Sequence, residues 1–425
     1  MLFPLFGLFF LLALIGLPVV FAIGIAGAAT FLFFSDLPGF VIAQRMIGGI
    51  DSFPLMAVPF FVFAGICMEA GGISQRLVNF ANSLVGSFRG GLAQVAIMTA
   101  TIFAGISGSG VADTSAVGSV MIPAMRAKGF NPAFSAALIA AAGSIGMIIP
   151  PSLLMIIYGS LTGVSIGALF VGGIIPGLLI CLGLMVYAFL YARKENYPVE
   201  PRVGLCDVWR SFRSAFWALL TPVLIVGGIL AGVFTATEAG AVAAIYALLI
   251  SVFVYRELKI SELKEVFVKS AIITSSVLLV ISFAAIFSYI MAIEQIPANV
   301  RGFLLSASEN RYIILFFIIG MLIIMGCIIE TMVIIIILVP VLAPIGVALG
   351  FDPVHFGILI VIALNLGGIT PPVGVLLFLT SSLARTGLAQ TSRHIAPIIP
   401  VFLLVMLLIA FVPETVTYLP SLFFR

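Results

Sequence analysis

Long runs of apolar residues, separated by short charged or Pro- and Gly-rich segments, follow one another along almost the whole chain. A helix that crosses a bilayer needs about 20 consecutive apolar residues, and several runs are longer than that. The pattern therefore predicts an all-α, polytopic membrane protein in which some segments are tilted, broken or folded back. We assign apolar stretches to residues 2–34, 54–70, 91–126, 131–162, 166–192, 217–234, 238–255, 270–293, 311–346, 352–386 and 395–415.

The composition supports this prediction and removes several classes of function. Of the 425 residues, 63% are hydrophobic and only 8% are charged, whereas about 25% are charged in ordinary soluble proteins. The net charge of +3 is small and dispersed, so we expect a lipid bilayer and no nucleic acid as partners. The two histidines and four separated cysteines do not form the clusters that haem or zinc centres need. We predict that the protein is not an enzyme.

The basic residues predict how the segments are oriented. Short basic loops tend to be cytoplasmic, and the largest basic groups lie at 193–213 and 256–269. If 91–126 and 311–346 are re-entrant hairpins, 15 of the 19 Lys and Arg residues are cytoplasmic and four are not. Those four are Arg45, Arg301, Arg311 and Arg425. The same topology places the N-terminus in the cytoplasm and the C-terminus in the periplasm.

The sequence also contains an internal repeat. When the chain is shifted by 221 positions, glycines and prolines coincide without gaps, among them Gly105 with Gly326 and Pro150-Pro151 with Pro371-Pro372. On the topology above, the two copies enter the membrane from opposite sides, and their arms at 74–90 and 298–311 lie on opposite faces. An inverted-topology repeat of this kind is the architecture of many secondary transporters.

Each copy has two interruptions inside apolar sequence, which we call the tip and the break. They are residues 105–114 and 143–152 in copy 1, and 326–331 and 365–372 in copy 2. Proline disfavours helix, so each Pro-Pro pair should unwind a transmembrane helix. Irregular backbone at membrane depth is tolerated only where it is buried in protein or lines a polar cavity. Freed carbonyls can bind a cation, and half-helix N-termini suit an anion. The interruptions therefore predict a cation-coupled anion site.

Several polar residues at the interruptions have two interpretations each. Asp113 and Glu330 either bind a cation or organise the site, or they are N-caps or first-turn acids of the second half-helices. Three hydroxyls and one amide either belong to the site or bond to nearby groups. These are Ser107, Ser109, Thr370 and Asn365. We expect His355 to be a satisfied interfacial histidine rather than a proton relay.

The motifs at the interruptions resemble those of the large membrane subunit of the tripartite ATP-independent periplasmic (TRAP) transporters. The similar segments are ADTSAVGS at 112–119, IIPPS at 148–152, GVFTATEA at 232–239, NL at 365–366 and TPPVG at 370–374. In the third segment Ala236 replaces the usual proline of the family, at a position outside the candidate site. The resemblance covers essentially the whole chain.

The resemblance implies a secondary active, sodium-coupled importer of a small organic anion in a bacterial inner membrane, with a substrate of the sialic acid or C4-dicarboxylate class. In ion-transporter superfamily proteins of this kind, a transport domain with two re-entrant hairpins and two unwound helices moves like an elevator against a scaffold. Substrate arrives on a periplasmic binding protein, and a small membrane subunit enlarges the scaffold. Because no such subunit is part of these 425 residues, we expect it as a separate partner chain.

Carried over to this sequence, the resemblance implies three groups of site residues, with Na⁺ as the coupling ion. Sodium site 1 would use Gly105, Ser107, Ser109, Ser144, Gly146 and Ile149. Sodium site 2 would use Gly326, Glu330, Asn365, Gly367 and Thr370. The substrate would lie near Ser109, Asp113, Thr114, Pro150, Pro151, Thr331, Pro371 and Pro372.

The repeat also divides the chain into scaffold and transport parts. We assign scaffold helices and the first arm to 1–90, and transport-domain halves to 91–165 and 311–390. Further scaffold helices, a cytoplasmic linker and the second arm occupy 166–310, and a C-terminal helix occupies 391–425. Two other functions stay open, a stand-alone sodium/dicarboxylate symporter of the same superfamily and an anion channel. The inverted repeat within one chain favours a carrier over a channel.

Overall fold

The computed structural model describes residues 1–197, 199 and 204–424, so Arg202 and Arg425 of the predicted basic residues lie outside it. Within the described residues the chain is helical and forms no β-strand. In the described part of the chain, six helices are long and apolar enough to cross a membrane. A seventh crossing is possible if Leu388–Ile395 and Ile399–Phe411, bent by 45°, act as one span. The all-α membrane architecture agrees with the prediction.

The N-terminal region differs from the prediction. The stretch 2–34 forms two helices, α1 (Leu2–Leu14) and α2 (Val19–Phe34), because Gly16, with φ +91°, and Pro18 reverse the chain between them. They are followed by α3 (Phe40–Ile50), a 3₁₀ turn (Phe53–Met56) and α4 (Ala57–Ala70). The amine of Met1 lies 3.2 Å from the carboxylate of Glu294. The predicted topology counted one crossing in 2–34 and so placed Met1 and Glu294 on opposite sides, whereas the two lie together. The side on which the N-terminus lies stays a prediction.

Copy 1 contains an arm, a hairpin and a broken helix. Its helices are α5 (Ile73–Val85), α6 (Gly91–Ser107), α7 (Gly110–Ala127), α8 (Pro132–Ser144), α9 (Leu153–Thr162) and α10 (Ile166–Lys194). Helices α6 and α7 form the hairpin, which turns at residues 108–109. The break separates α8 from α9 by a 3₁₀ turn (Ile145–Met147) and a cis bond between Pro150 and Pro151.

Three long helices separate the two copies. They are α11 (Leu205–Leu230), α12 (Ala236–Leu249) with a π-helical turn (Ile250–Val254), and α13 (Leu263–Ile293) after a 3₁₀ turn (Ile260–Glu262). Helix α12 packs on α4, and α13 packs on α2, α3 and α4. The arm α5 packs on α11, and its Arg76 is 2.6 Å from Glu257 and lies over the ring of Tyr255. These contacts connect the N-terminal and central helices into one packed group, for which we keep the predicted name scaffold.

Copy 2 repeats the order of elements found in copy 1. Its helices are α14 (Ile296–Ala307), α15 (Arg311–Gly326), α16 (Thr331–Ala348), α17 (Pro353–Gly368), α18 (Val375–Ala384), α19 (Leu388–Ile395), α20 (Ile399–Phe411) and α21 (Glu414–Phe423). Helices α15 and α16 form the second hairpin. The break between α17 and α18 contains a second cis bond, between Pro371 and Pro372.

The two broken helices run in opposite directions. The hydroxyl of Tyr158, near the end of α9, donates to the carbonyl of Pro353 at the start of α17, at 3.3 Å. Asn131 and Asp352, which are 221 residues apart, cap α8 and α17 alike, each followed by a proline. Equivalent helices with equivalent caps and opposite directions are the signature of the predicted inverted repeat.

Candidate cation and anion site

The tip of copy 1 is held against its own break by backbone contacts. The amide of Leu153, the first residue of α9, donates to the carbonyl of Gly108 at 3.1 Å. Gly108 has φ +66°, and a Cβ there would collide with the carbonyl oxygen of Pro151, so the position requires glycine. Ser109 then caps α7 by accepting from the amide of Ala112 at 3.4 Å. The tip therefore builds a tight turn and a new helix N-terminus at one point.

Asp113 lies in the first turn of α7 and is completely buried. Its Oδ1 accepts a hydrogen bond from the hydroxyl of Ser107, whose oxygen also accepts from the amide of Ser109 at 3.1 Å. Its Oδ2 lies against the α-carbon of Gly146, where a Cβ would overlap it, and has no hydrogen-bond partner among the described residues. Asp113 is thus a first-turn acid, the N-cap is Ser109, and one buried carboxylate oxygen is free.

The break of copy 1 diverts backbone bonds from the helical pattern. The amides of Ile148 and Ile149 both donate to the carbonyl of Ile145, at 2.8 and 2.9 Å. The carbonyl of Ser144 therefore loses the donor that a continued helix would supply from Ile148. The hydroxyl of Ser144 is used locally, since it donates to the carbonyl of Ala141 at 2.8 Å.

The tip of copy 2 has the same backbone arrangement with different residues. The amides of Val373 and Gly374, just before α18, both donate to the carbonyl of Cys327 at 3.2 Å. Gly326 and Gly367 pack backbone to backbone, and a Cβ on Gly367 would lie 2.6 Å from the α-carbon of Gly326. In both copies the tip is bonded to the chain that follows the Pro-Pro pair.

The polar side chains of copy 2 differ from those of copy 1. Glu330 occupies the N-cap position of α16 but makes no capping hydrogen bond, and it is exposed. The hydroxyl of Thr370 donates to the carbonyl of Leu366 at 2.6 Å. The cap interpretation of Glu330 therefore holds for its position but not for its side chain.

Asn365 connects the two copies. It is completely buried, and its Nδ2 donates to the carbonyl of Ser144 at 2.8 Å. Its Oδ1 has no hydrogen-bond partner among the described residues. The amide thus reaches from the break of copy 2 to the break of copy 1, and sequence analysis alone had placed it only in copy 2.

A narrow cleft separates the two tips and is lined by residues of both. Three predicted site residues, Ser109, Glu330 and Thr331, line it, together with Gly108, Gly110, Val111, Met147, Leu153, Leu154, Met332, Gly368, Val375 and Leu376. Its open volume is about 30 Å³, which is room for a water molecule or two. Asp113 and Thr114 are buried behind the cleft, and neither Pro-Pro pair is part of its lining.

Other predicted site residues have structural contacts. A Cβ on Gly105 would lie 2.9 Å from the ring of Pro222 on α11, so Gly105 faces the scaffold. Thr114 packs against the backbone of Gly143, and its hydroxyl has no hydrogen-bond partner among the described residues. Ile149 packs its side chain against Gly177 of α10, which leaves only its backbone for a site.

His355 and Ser152 compare with the expectations in different ways. His355 is satisfied as predicted, because its Nε2 is 2.9 Å from the carbonyl of Ile409, and its side chain is buried in the protein. Ser152 was not predicted as a site residue, yet its hydroxyl donates to the carbonyl of Met147 at 2.6 Å and its oxygen caps α9. A serine between Pro-Pro and an apolar run is a recognisable helix start and could have been found.

A family model decides what kind of membrane protein this is. The model described as "Tripartite ATP-independent periplasmic transporter, DctM component" matches residues 6–415. The chain belongs to the DctM family. The TRAP resemblance of the tip and break motifs is thereby confirmed over nearly the full length of the chain.

Relatives in the DctM family are named for different substrates. The C4-dicarboxylate TRAP transporter large permease protein DctM of Pseudomonas aeruginosa is 39% identical over 400 residues, covering 94% of each chain. The sialic acid TRAP transporter large permease protein SiaM of Vibrio cholerae is 39% identical over 409 residues, covering 96% of each chain. The isethionate TRAP transporter permease protein DctMQ of Oleidesulfovibrio alaskensis is 43% identical over 410 residues, and the match spans 96% of this chain but 65% of that protein.

A solved structure with much lower sequence identity than these relatives has a similar fold. The YdaH transporter of Alcanivorax borkumensis aligns with a TM-score of 0.67 at 16% sequence identity, covering 89% of this chain and 90% of the other. At that identity the likeness supports the fold alone.

Proposed function

We propose that this DctM-family chain is the large permease of a sodium-coupled importer of a small organic anion in a bacterial inner membrane. The observation that carries the proposal is the buried polar group at the meeting point of the two copies. There Asp113 has a free carboxylate oxygen, and both tips and both breaks converge. A buried ionisable group inside a membrane protein is a functional-site candidate, and an inverted repeat with broken helices places such a site between the copies.

The donors present fit a hard cation such as Na⁺. Oxygen ligands are required, and copy 1 supplies the free Oδ2 of Asp113, the hydroxyl oxygen of Ser107 and carbonyls released at the break. We propose Gly105, Ser107, Ser109, Ser144, Gly146 and Ile149 for sodium site 1, with Asp113 completing it. We propose Gly326, Glu330, Asn365, Gly367 and Thr370 for sodium site 2. When bound, the cation would offset the negative charge of Asp113 and of an arriving anion.

The anion would bind where two helix N-termini face the cleft. Helices α7 and α16 begin at Gly110 and Thr331, and their free amides and partial positive charge favour a carboxylate. We propose that Asp113, Thr114 and the prolines Pro150, Pro151, Pro371 and Pro372 shape the site from behind. Because the cleft holds only about 30 Å³, the tips must separate before an organic acid can enter.

The contacts between tips and scaffold support an elevator motion. The tip of copy 1 meets the scaffold through glycines, with a Cβ on Gly65 of α4 falling 3.4 Å from Ser107 and Gly105 touching Pro222 of α11. A hydrogen bond of 3.0 Å joins Ser52 to Ser160 at the end of α9. Small residues allow one surface to slide past another. Since α10 packs along α6, α8, α9 and α17, we propose that it moves with the transport domain, although sequence analysis grouped it with the scaffold.

The partners follow from the family rather than from the chain alone. Its relatives bear the names of large permease proteins of tripartite systems, and one relative carries the combined name DctMQ. We propose that this chain works with a small membrane subunit and a periplasmic substrate-binding protein. The relatives are named for C4-dicarboxylates, sialic acid and isethionate, which are all small organic anions.

Reconstitution tests the proposal. The chain would be placed in proteoliposomes with and without its small subunit and binding protein, and uptake of labelled organic acids would be followed under imposed ion gradients. We expect uptake only with an inward sodium gradient and the binding protein. Uptake without sodium would contradict coupling and favour a channel. Sodium-driven uptake without the binding protein would instead identify a stand-alone symporter.

A further inference from the structure

The hydrogen bond between Asn365 and Ser144 joins equivalent positions of the two copies. The two residues are 221 positions apart, which is the offset of the repeat itself. In an arrangement with approximate two-fold symmetry, equivalent residues meet only beside the symmetry axis. The bond of 2.8 Å therefore marks the axis, and both residues are completely buried there.

This bond replaces one that the break removes. Ser144 is the last residue of α8, and the amide of Ile148, its helical partner, donates to Ile145 instead. The 3₁₀ turn at Ile145–Met147 follows this carbonyl with i→i+3 bonds, and the Asn365 amide adds a donor from the opposite copy. The direction of the buried Ser144 carbonyl therefore depends in part on where α17 holds Asn365.

The other end of the amide remains available. Its Oδ1 is buried without a hydrogen-bond partner among the described residues, and Asn365 lies one turn before the end of α17 at Gly368. The carbonyl of Leu364 beside it packs against Gly326 of the copy 2 tip. One side chain therefore contacts the break of copy 1 while its own helix turn contacts the tip of copy 2.

We propose that Asn365 is a positioning residue that couples the two proposed cation sites across the symmetry axis. Filling the site of copy 2 fixes α17 and its amide, and the amide then holds the Ser144 carbonyl in place for the site of copy 1. The reverse order is equally favourable, because coupling between sites is reciprocal. This inference rests on the proposed function, and it assigns sodium cooperativity to one hydrogen bond.

The test is the sodium dependence of binding and uptake in the reconstituted complex. Two coupled sites give a Hill coefficient between about 1 and 2, and uncoupled sites give about 1. Asn365→Asp keeps the size of the side chain and the Oδ1 proposed for sodium site 2 but removes the Nδ2 donor, and we expect its Hill coefficient to fall to about 1 while both sodium sites still fill. Thr380→Val is the control, since it likewise removes a buried hydrogen-bond donor, here a hydroxyl bonded locally at 3.1 Å within α18, and should keep the wild-type cooperativity.

Hydrogen exchange gives a second readout that a purely structural role would not change selectively. In the wild type, sodium should protect amides of both breaks together, whereas Asn365→Asp should uncouple the protection of 145–149 from that of 366–370. Asn365→Ser serves the same purpose if the aspartate variant does not fold. A folded Asn365 variant with wild-type cooperativity, or a sodium-driven wild type with a Hill coefficient of 1, would overturn the inference. Wild-type uptake without sodium would instead overturn the proposed function.

Discussion

At the tip of copy 1, Ser107, Ser109 and Asp113 form a polar group that is mostly buried and internally bonded. The equivalent positions of copy 2 hold Ile328, Glu330 and Ile334. The backbones of the two tips are nevertheless bonded to their breaks in the same way. The backbone contact between tip and break is thus present in both copies, whereas the mostly buried polar group is present only in copy 1 of the two described tips. We expect copy 1 to bind its cation tightly. We expect copy 2 to bind a cation more weakly, with an affinity that depends on ionic strength.

Removing the Asp113 carboxylate should have the largest effect. Asp113→Ala leaves the Ser107 hydroxyl without its acceptor and removes the free Oδ2 beside the break. We expect sodium affinity to fall by about 100-fold, the upper end for loss of a metal-site partner, with uptake falling in parallel. Sodium titration of uptake measures this. Ile334→Ala, at the equivalent position of copy 2, is the control, and equal losses in both variants would contradict the asymmetry.

A methyl group between Gly326 and Gly367 should have the next largest effect. Gly367→Ala forces two backbones apart, because its Cβ would lie 2.6 Å from the neighbouring α-carbon. Overpacking of this kind costs about 1–3 kcal/mol of stability, which thermal unfolding in detergent would detect. Gly227→Ala on α11 is the matched control, since nothing lies within 4 Å of its Cβ, and alanine in a helix is favourable. Equal melting temperatures for both variants would show that the backbone contact is unimportant.

The positions of the breaks could be predicted from the sequence, but the contacts that each break makes with the tips and with the other break could not. Gly and Pro residues determine local backbone, so the hairpins and unwound helices could be predicted from their positions alone. The contact of Asp113 with Gly146, and that of Asn365 with Ser144, join residues far apart in the chain and depend on how helices pack. The N-terminal stretch was misjudged for a related reason. Its hydropathy is continuous through Gly16 and Pro18. Hydropathy alone therefore does not reveal the turn that the backbone makes there.

Neutralising Glu330 should have a moderate effect, because its side chain is exposed and makes no capping bond. An acid near a helix N-terminus contributes about 0.3–1 kcal/mol, which corresponds to a two- to fivefold change. We therefore expect Glu330→Gln to raise the half-saturating sodium concentration by about that factor. Titration of uptake at two ionic strengths checks it, since an exposed charge should matter less at high salt. A loss as large as that of Asp113→Ala would mean that the two tips are equal partners.

The smallest effect is expected for Thr370→Val, which sharpens the comparison at the break. The counterpart of Thr370 in copy 1 is Ile149, so a site can be built there without a hydroxyl. The Thr370 proton is already donated to Leu366 at 2.6 Å, and only the remaining lone pairs of its oxygen are available to a cation. Valine removes these lone pairs. We expect the half-saturating sodium concentration to rise by about twofold, which is the size of effect expected when one weak electrostatic contact is lost. Thr101→Val is the control, because its hydroxyl makes the same local bond, at 2.8 Å to Ile97, on α6 away from the tips. A tenfold effect at Thr370 with none at Thr101 would make the hydroxyl a principal ligand and copy 2 the tighter site.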